Sequence, residues 1–194
     1  MTANKVAYLS FDIETDGPSP LTNSMLSLGI VLIDDDGVVL DELLVNIIKR
    51  KDMEEDVCTM DWWKTVPDAW SACHIDMVSP HDAMRQVATF YEKWMNNYKL
   101  IWCAMPACFD WMFLKSYYMA YKPTKSPDIG YHATCISTLR DYSIKNKIIT
   151  NKQYTTITTS IPSGTEHCAL DDARHQGLIF INLNKFIKNL HTKQ

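Results

Sequence analysis

Asp12 and Glu14 stand two residues apart at the end of the apolar run Val6 to Ile13, in which Ala7, Leu9, Phe11 and Ile13 alternate with Val6, Tyr8, Ser10 and Asp12. On a strand both carboxylates then point to one face, and two hard oxygen donors converging at a strand end suit Mg²⁺ or Mn²⁺. The pattern alone is weak, because D-x-E recurs at Asp52-Met53-Glu54, which reads as a solvated loop. What separates Asp12 and Glu14 is their setting: a buried strand running into two acids needs a cation or a donor network to compensate them. A third acid, Asp110, follows the apolar run Leu100 to Ala104 and opens Phe109-Asp110-Trp111-Met112-Phe113-Leu114. By itself it reads equally as a carboxylate favoured at a helix start. His167-Cys168-Ala169-Leu170-Asp171-Asp172-Ala173 brings a histidine and two acids to the start of the last helical stretch, where a simple cap would use the same residue types.

The elements that must position these residues are legible from periodicity. Val6 to Ile13 is predicted as a buried strand stopped by Gly17-Pro18. Met25 to Ile33 and Val38 to Ile47 follow as two further strands joined by the turn Asp34-Asp35-Asp36-Gly37. Ser79-Pro80-His81-Asp82 starts a helix that runs through Ala83, Val87, Phe90, Tyr91 and Trp94. Leu100 to Ala104 is a short strand; Asp110 to Tyr121 and His132 to Tyr142 are helices. Tyr142 to Gly164, with a Thr-rich run from Thr155 to Thr159, is expected to be a long functional loop or a hairpin. Leu170 to Leu190 closes the chain as a helix. Three antiparallel strands, then alternating helix and strand, then terminal helices describe an α/β layer with a mixed sheet covered on both faces.

Composition narrows the class. With 194 residues, 46% hydrophobic and 22% charged, the chain can bury one sizeable core, and residues 1–194 are expected to form a single domain. Disordered and collagen-like classes are excluded. Met1 to Val6 has no apolar segment of a secretion signal, and no apolar run reaches a membrane span, so a cytoplasmic protein without a membrane anchor is expected. The six cysteines form no C-x-x-C pair and are expected to be reduced. A net charge of -4 argues against a protein that coats duplex by neutralising many phosphates, but not against an enzyme that grips a strand end.

Taken together, Phe11-Asp12-Ile13-Glu14-Thr15, Phe109-Asp110 with Phe113-Leu114, and His167-x-Ala169-x-x-Asp172-Ala173 resemble the DEDDh branch of the 3′-to-5′ exonucleases, which includes proofreading exonucleases, RNase T and oligoribonuclease. The resemblance runs from residue 8 to about residue 180. It implies an RNase H-like fold with a central mixed five-stranded sheet. It also implies two divalent metal ions, Mg²⁺ or Mn²⁺, held by Asp12, Glu14, Asp110 and Asp172, with His167 as general base. Asp12 would bridge both ions, Glu14 and Asp172 would complete the site of the water-activating ion, and Asp110 would support the second. Asp171 is the local rival, and the family's five-residue step from histidine to aspartate selects Asp172.

The implied reaction removes nucleoside 5′-monophosphates from 3′ ends of single-stranded nucleic acid. RNA is favoured over DNA because the chain shows no polymerase or helicase segment. A DNA proofreading or repair exonuclease and an inactive nucleic-acid-binding domain of the same fold are the alternatives. Homodimers are common among relatives, and no interface signature decides the matter here. Ala104-Met105-Pro106-Ala107-Cys108 stands where many relatives carry a His-Asn pair, which puts the substrate contacts there in doubt.

Substrate contacts are expected at Thr15 through its backbone and at Met25 by packing on the last base, although Met25 fits the core equally well. Trp62-Trp63 could stack bases, with Trp63 the chosen candidate; the alternative places one indole in the core and the other over a helix. Lys145, Lys147 and Lys152 precede His167 and could hold the incoming backbone, or simply solvate a loop. His74, His81, His132, His175 and His191 have no matching partner pattern.

Overall fold

The computed structural model describes residues 5–191; the first four residues of the Met1 to Val6 segment and the end of the polar tail lie outside the described residues. The chain opens with β1 (Val6–Thr15), β2 (Met25–Asp34) and β3 (Val39–Asn46), and continues through the short helices α1 (Val57–Trp63) and α2 (Pro67–Ala72). Then come α3 (Pro80–Met95), β4 (Lys99–Ala104), α4 (Ala107–Tyr121), β5 (Thr134–Cys135), α5 (Ile136–Lys145), α6 (Asn151–Thr159) and α7 (Ala169–His191). The strands form one sheet in the order β3-β2-β1-β4-β5. β1 pairs antiparallel with β2, β2 antiparallel with β3, and β4 runs parallel to both β1 and β5.

The period-two pattern of β1 sorts its residues between two cores. Leu9, Phe11 and Ile13 face a large apolar cluster with Leu28, Ile30 and Leu32 of β2, Ala83, Met84 and Val87 of α3, and Phe113 and Leu114 of α4. The other face packs on α5 and α7 through Val31, Ile33, Cys103, Ile136, Ala173, Phe180 and Ile181. Ser10, Asp12 and Glu14 belong to this second face by the same alternation. Two glycines let α7 lie close on it. A Cβ at Gly29, the β2 partner of Asp12, would overlap the Ala169 carbonyl, and one at Gly177 would overlap Ser10 and Ile33.

The structure departs from the sequence reading in three places. Tyr142 to Gly164 is not a long loop or hairpin: α5 extends to Lys145, and the Thr-rich run is the helix α6. Its start is a capping box, in which the Thr150 hydroxyl accepts from the Gln153 N–H and the Gln153 side chain accepts from the Thr150 N–H. The hydroxyls of Thr156, Thr158 and Thr159 donate back to carbonyls three or four residues earlier, so side chains with weak helix propensity are satisfied inside the helix. The helix expected from His132 begins at Ile136, because Thr134 and Cys135 add to β4 as a fifth strand. α1 and α2 were not predicted; they start at an Asp56 N-cap and at Pro67, and are too short for an apolar period to show. No described helix is long and apolar enough to cross a membrane.

Candidate active site

The β1–β4 ladder ends at Ser10–Cys103, so the last residues of β1 project past β4 while still paired to β2, Asp12 opposite Gly29 and Glu14 opposite Ser27. The Gln176 side chain of α7 takes the Phe11 carbonyl there at 2.8 Å, fixing the helix to the strand beside Asp12. A register shift between Glu14 and Thr15 then skips Leu26, so that Thr15 pairs with Met25. α4 begins just past β4 and brings Asp110 into the gap from its first turn. α7 brings Asp172 from its first turn over the face that carries Asp12 and Glu14.

The five chemistry-bearing residues read from the sequence meet at this point. Ligand atoms of Glu14, His167 and Asp172 lie within 4.8 Å of one another. Asp12 is raised well above the usual carboxylate range, first by burial and then by the charges of Asp110, Glu14 and Asp172. Burial, with Asp172 and Asp110 adding repulsion, pushes Glu14 up to about 8. Burial lifts Asp110 to about 7 against the backbone N–H groups of Asp110 and Ile13 that favour its charge. Asp172 is also raised by burial, with His167 opposing the shift.

Acids gathered so that burial and mutual repulsion disfavour their charged forms suit a site for a cation. Asp110 is 3% exposed, and its buried Oδ2 has no hydrogen-bond partner, although native folds rarely leave such an atom unpaired. Four carboxylates and one imidazole, all hard or borderline donors, fit a divalent metal.

His167 precedes α7 in a turn with a φ of 60°, a left-handed conformation uncommon outside glycine. Its ring meets the Trp62 indole edge-on at 4.9 Å and 89°. This settles the tryptophan pair. Trp63 is 2% exposed and donates its indole N–H to the Thr15 carbonyl at 2.9 Å, so it buttresses the bulge and offers no face to a base. Trp62 is 40% exposed and lies over the site. The sequence singles out the buried member of the pair because the helical phase of a seven-residue helix is not visible without its partners.

Met25 is also corrected. It is fully buried in the core shared by β2 and α4, and its N–H donates to the Tyr117 hydroxyl at 2.8 Å. Thr15 is buried, with its carbonyl taken by Trp63. Lys145 and Lys147 are exposed at the end of α5 and just after it, and Lys152 is exposed on α6, which packs on α7. Gln176 was not singled out from the sequence; the signal that could have found it is an amide placed four residues after Asp172, one turn along the same helix face.

The comparisons with known proteins agree with this geometry. A family model described as a 3′-5′ exoribonuclease Rv2179c-like domain matches residues 7–183. The chain is 25% identical over 192 residues to the 3′-5′ DNA exonuclease Cap18 of Escherichia coli, covering 95% of each protein. It superposes on E. coli exonuclease I in complex with a dT13 oligonucleotide with a TM-score of 0.69 at 12% identity, over 97% of this chain and 43% of that one. The nuclease domain of 3′hExo, a DEDDh family member bound to rAMP, aligns with a TM-score of 0.59 at 14% identity, over 95% of this chain and 94% of that one. At these identities the structural likeness is one of fold, and the chain spans less than half of exonuclease I. With its model matched across nearly the whole sequence, the chain belongs to the 3′-5′ exoribonuclease Rv2179c-like family of 3′-to-5′ exonucleases.

Proposed function

We propose that this protein, acting as a single domain over residues 1–194, is a metal-dependent exonuclease that shortens single-stranded nucleic acid from the 3′ end. In this reading it prefers RNA to DNA and releases nucleoside 5′-monophosphates. The observation that carries the reading is the convergence of Asp12, Glu14, Asp110 and Asp172, all with raised pKa values, beside His167. Asp12, Glu14, Asp110 and Asp172 would hold two divalent ions. Bound there, such ions polarise the scissile phosphate, acidify the attacking water and stabilise the departing 3′-oxygen. His167, beside Glu14 and Asp172, is placed to accept the water's proton. Thr15 ends the strand next to Glu14, and its carbonyl, taken by Trp63, braces that end of the site. Lys145, Lys147 and Lys152 would hold the incoming phosphates.

A second reading, a DNA exonuclease with the same residues, is favoured by the likeness to Cap18, which is a DNA exonuclease. One experiment tests both. Matched 5′-labelled RNA and DNA strands are incubated with Mg²⁺, Mn²⁺ or EDTA beside Asp12→Ala. Metal-dependent ladders that shorten from the 3′ end, faster on RNA and absent in the variant, are expected. Faster loss of DNA selects the second reading, and binding of both without cleavage overturns the enzyme in favour of a binding domain. Neutralising the three lysines together should flatten the salt dependence of single-strand binding by about 2 in the log–log slope, at about 0.7 per phosphate contact; an unchanged slope removes them from the strand path.

A further inference from the structure

His167 lies on no regular element, and its φ of 60° is a left-handed conformation that disfavours a non-glycine residue. The place of the imidazole therefore depends on what ties down the turn Thr165–Cys168. Within the turn, the Cys168 N–H reaches the Thr165 carbonyl at 3.3 Å, and the Asp172 N–H reaches the Cys168 carbonyl at 2.9 Å. The Asp172 carboxylate takes the His167 N–H, and a further tie comes from the neighbouring side chain. Asp171 Oδ2 accepts the Thr165 N–H at 2.9 Å, while Oδ1 of the same carboxylate accepts Arg174 Nη1 at 2.6 Å. The guanidinium then forks onto β3, with Nε on Glu42 Oε1 at 2.8 Å and Nη2 on Oε2 at 2.9 Å. A continuous line of hydrogen bonds thus runs from the edge strand through Glu42, Arg174 and Asp171 to the turn that carries His167, opposite the Trp62 ring.

We propose that Asp171 is a positioning residue: its carboxylate, braced by the Arg174–Glu42 fork, holds the His167 turn so that the imidazole faces Glu14 and Asp172. The inference rests on the exonuclease reading of His167 as base. Both Asp171 oxygens are occupied by protein donors, which sets this residue apart from any role as a metal ligand. Arg174 is the fitting brace because a planar fork fixes direction as well as distance.

The test uses the full chain. Asp171→Ala should lower kcat by about 10- to 100-fold while KM stays within about twofold, the signature of a misplaced group and not of lost binding. In a His167→Ala background the same change should have no further effect, because a residue that acts through the imidazole has nothing left to act on. Asp171→Asn, whose amide oxygen can still accept from Thr165, should recover part of the loss, and Glu42→Ala should give a smaller loss than Asp171→Ala. A readout independent of turnover is the His167 imidazole NMR cross-peak of the metal-free protein, assigned by its loss in His167→Ala. It should broaden or split in Asp171→Ala while the peaks of the other histidines stay in place, which also shows that the variant folds. An unchanged His167 peak, or an equal slowing by Asp171→Ala with and without His167, overturns the proposal. A peak that broadens in Asp171→Ala while the wild-type protein cleaves no strand supports the tether and refutes the exonuclease reading instead.

Discussion

Asp171 and Asp172 are neighbours on the first turn of one helix and are treated in opposite ways. Asp171 is held below the usual carboxylate range, first by the Thr165 N–H and then by Arg174. Asp172 is raised by burial and faces three other acids across the end of β1. The first acid has its charge satisfied by protein donors. The second takes the His167 N–H and has two histidines near it, yet burial still disfavours its charge. The contrast shows which carboxylates the fold uses to hold itself together and which it keeps at a thermodynamic disadvantage for something that arrives later. The same division separates the Glu42 side of the molecule, where acids sit in ion pairs, from the β1 terminus, where Asp12, Glu14 and Asp110 have no Lys or Arg partner among the ion pairs of the described residues.

The sharpest way to break this comparison is to remove an acid from the unsatisfied group. Asp12→Ala should cut metal-dependent hydrolysis by at least about 10³-fold, or roughly 4 kcal/mol of transition-state stabilisation. Single-turnover degradation of a labelled strand measures it, and wild-type rates would sink the site. Asp110→Asn should likewise abolish turnover yet raise the melting temperature of the metal-free protein near pH 8, because it removes a disfavoured buried charge. A lower melting temperature would mean that this acid also helps hold the fold.

The next effect is a dependence on pH that metal should erase. Glu14 titrates from an ordinary 4.5 up to about 8 in the fold, and Asp110 from 3.8 up to about 7. For a carboxyl raised in this way, the folded state binds the proton more tightly than the unfolded chain. Its stabilising contribution is full below the unfolded pKa and is lost as pH rises through the folded one. In EDTA the melting temperature should therefore fall between about pH 5 and pH 8.5, and saturating Mn²⁺ should remove most of that fall. A flat profile in EDTA would show that the acids are compensated without a cation.

The smallest effect belongs to the satisfied side. Glu42→Ala removes one arm of a pair whose side chains are 34% and 32% exposed, and denaturant unfolding should register a loss of about 1 kcal/mol or less. A larger loss would make the Arg174 fork a pillar of the fold in its own right.

The sequence was most readable where chemistry and packing demand the same residues. Asp12 and Glu14 stand out because an apolar strand that ends in acids conflicts with burial, and the structure puts both on the face that α7 covers. His167 and Asp172 were legible only through the family resemblance, whose five-residue step selects Asp172; by themselves these residues read equally as a helix cap. Where an outcome depended on distant partners the reading failed. The threonines of α6 favour strand when taken one at a time, and only the Thr150–Gln153 box and the back-donated hydroxyls make them helical. Trp62 and Trp63 are identical side by side, and only the position of the Thr15 carbonyl decides which is buried. Asp171 looked like an ambiguous second acid until Arg174 and Glu42, the latter 132 residues earlier than the arginine, were seen beside it.

The bare backbone at Gly29 and Gly177 has a consequence for which ions the site can accept. Side chains between a helix and a sheet act as a cushion, since rotamers can shift to let the layers breathe. At Gly29 there is no cushion, and α7 rests main chain on main chain, while at Gly177 it lies directly on the Ser10 and Ile33 side chains. The gap between the acid on the helix and the acids on β1 is thus set as in a machined fitting. An added methyl at Gly29 would act as a shim, opening that gap and shifting tolerance away from small, geometrically strict Mg²⁺ toward larger, more forgiving cations.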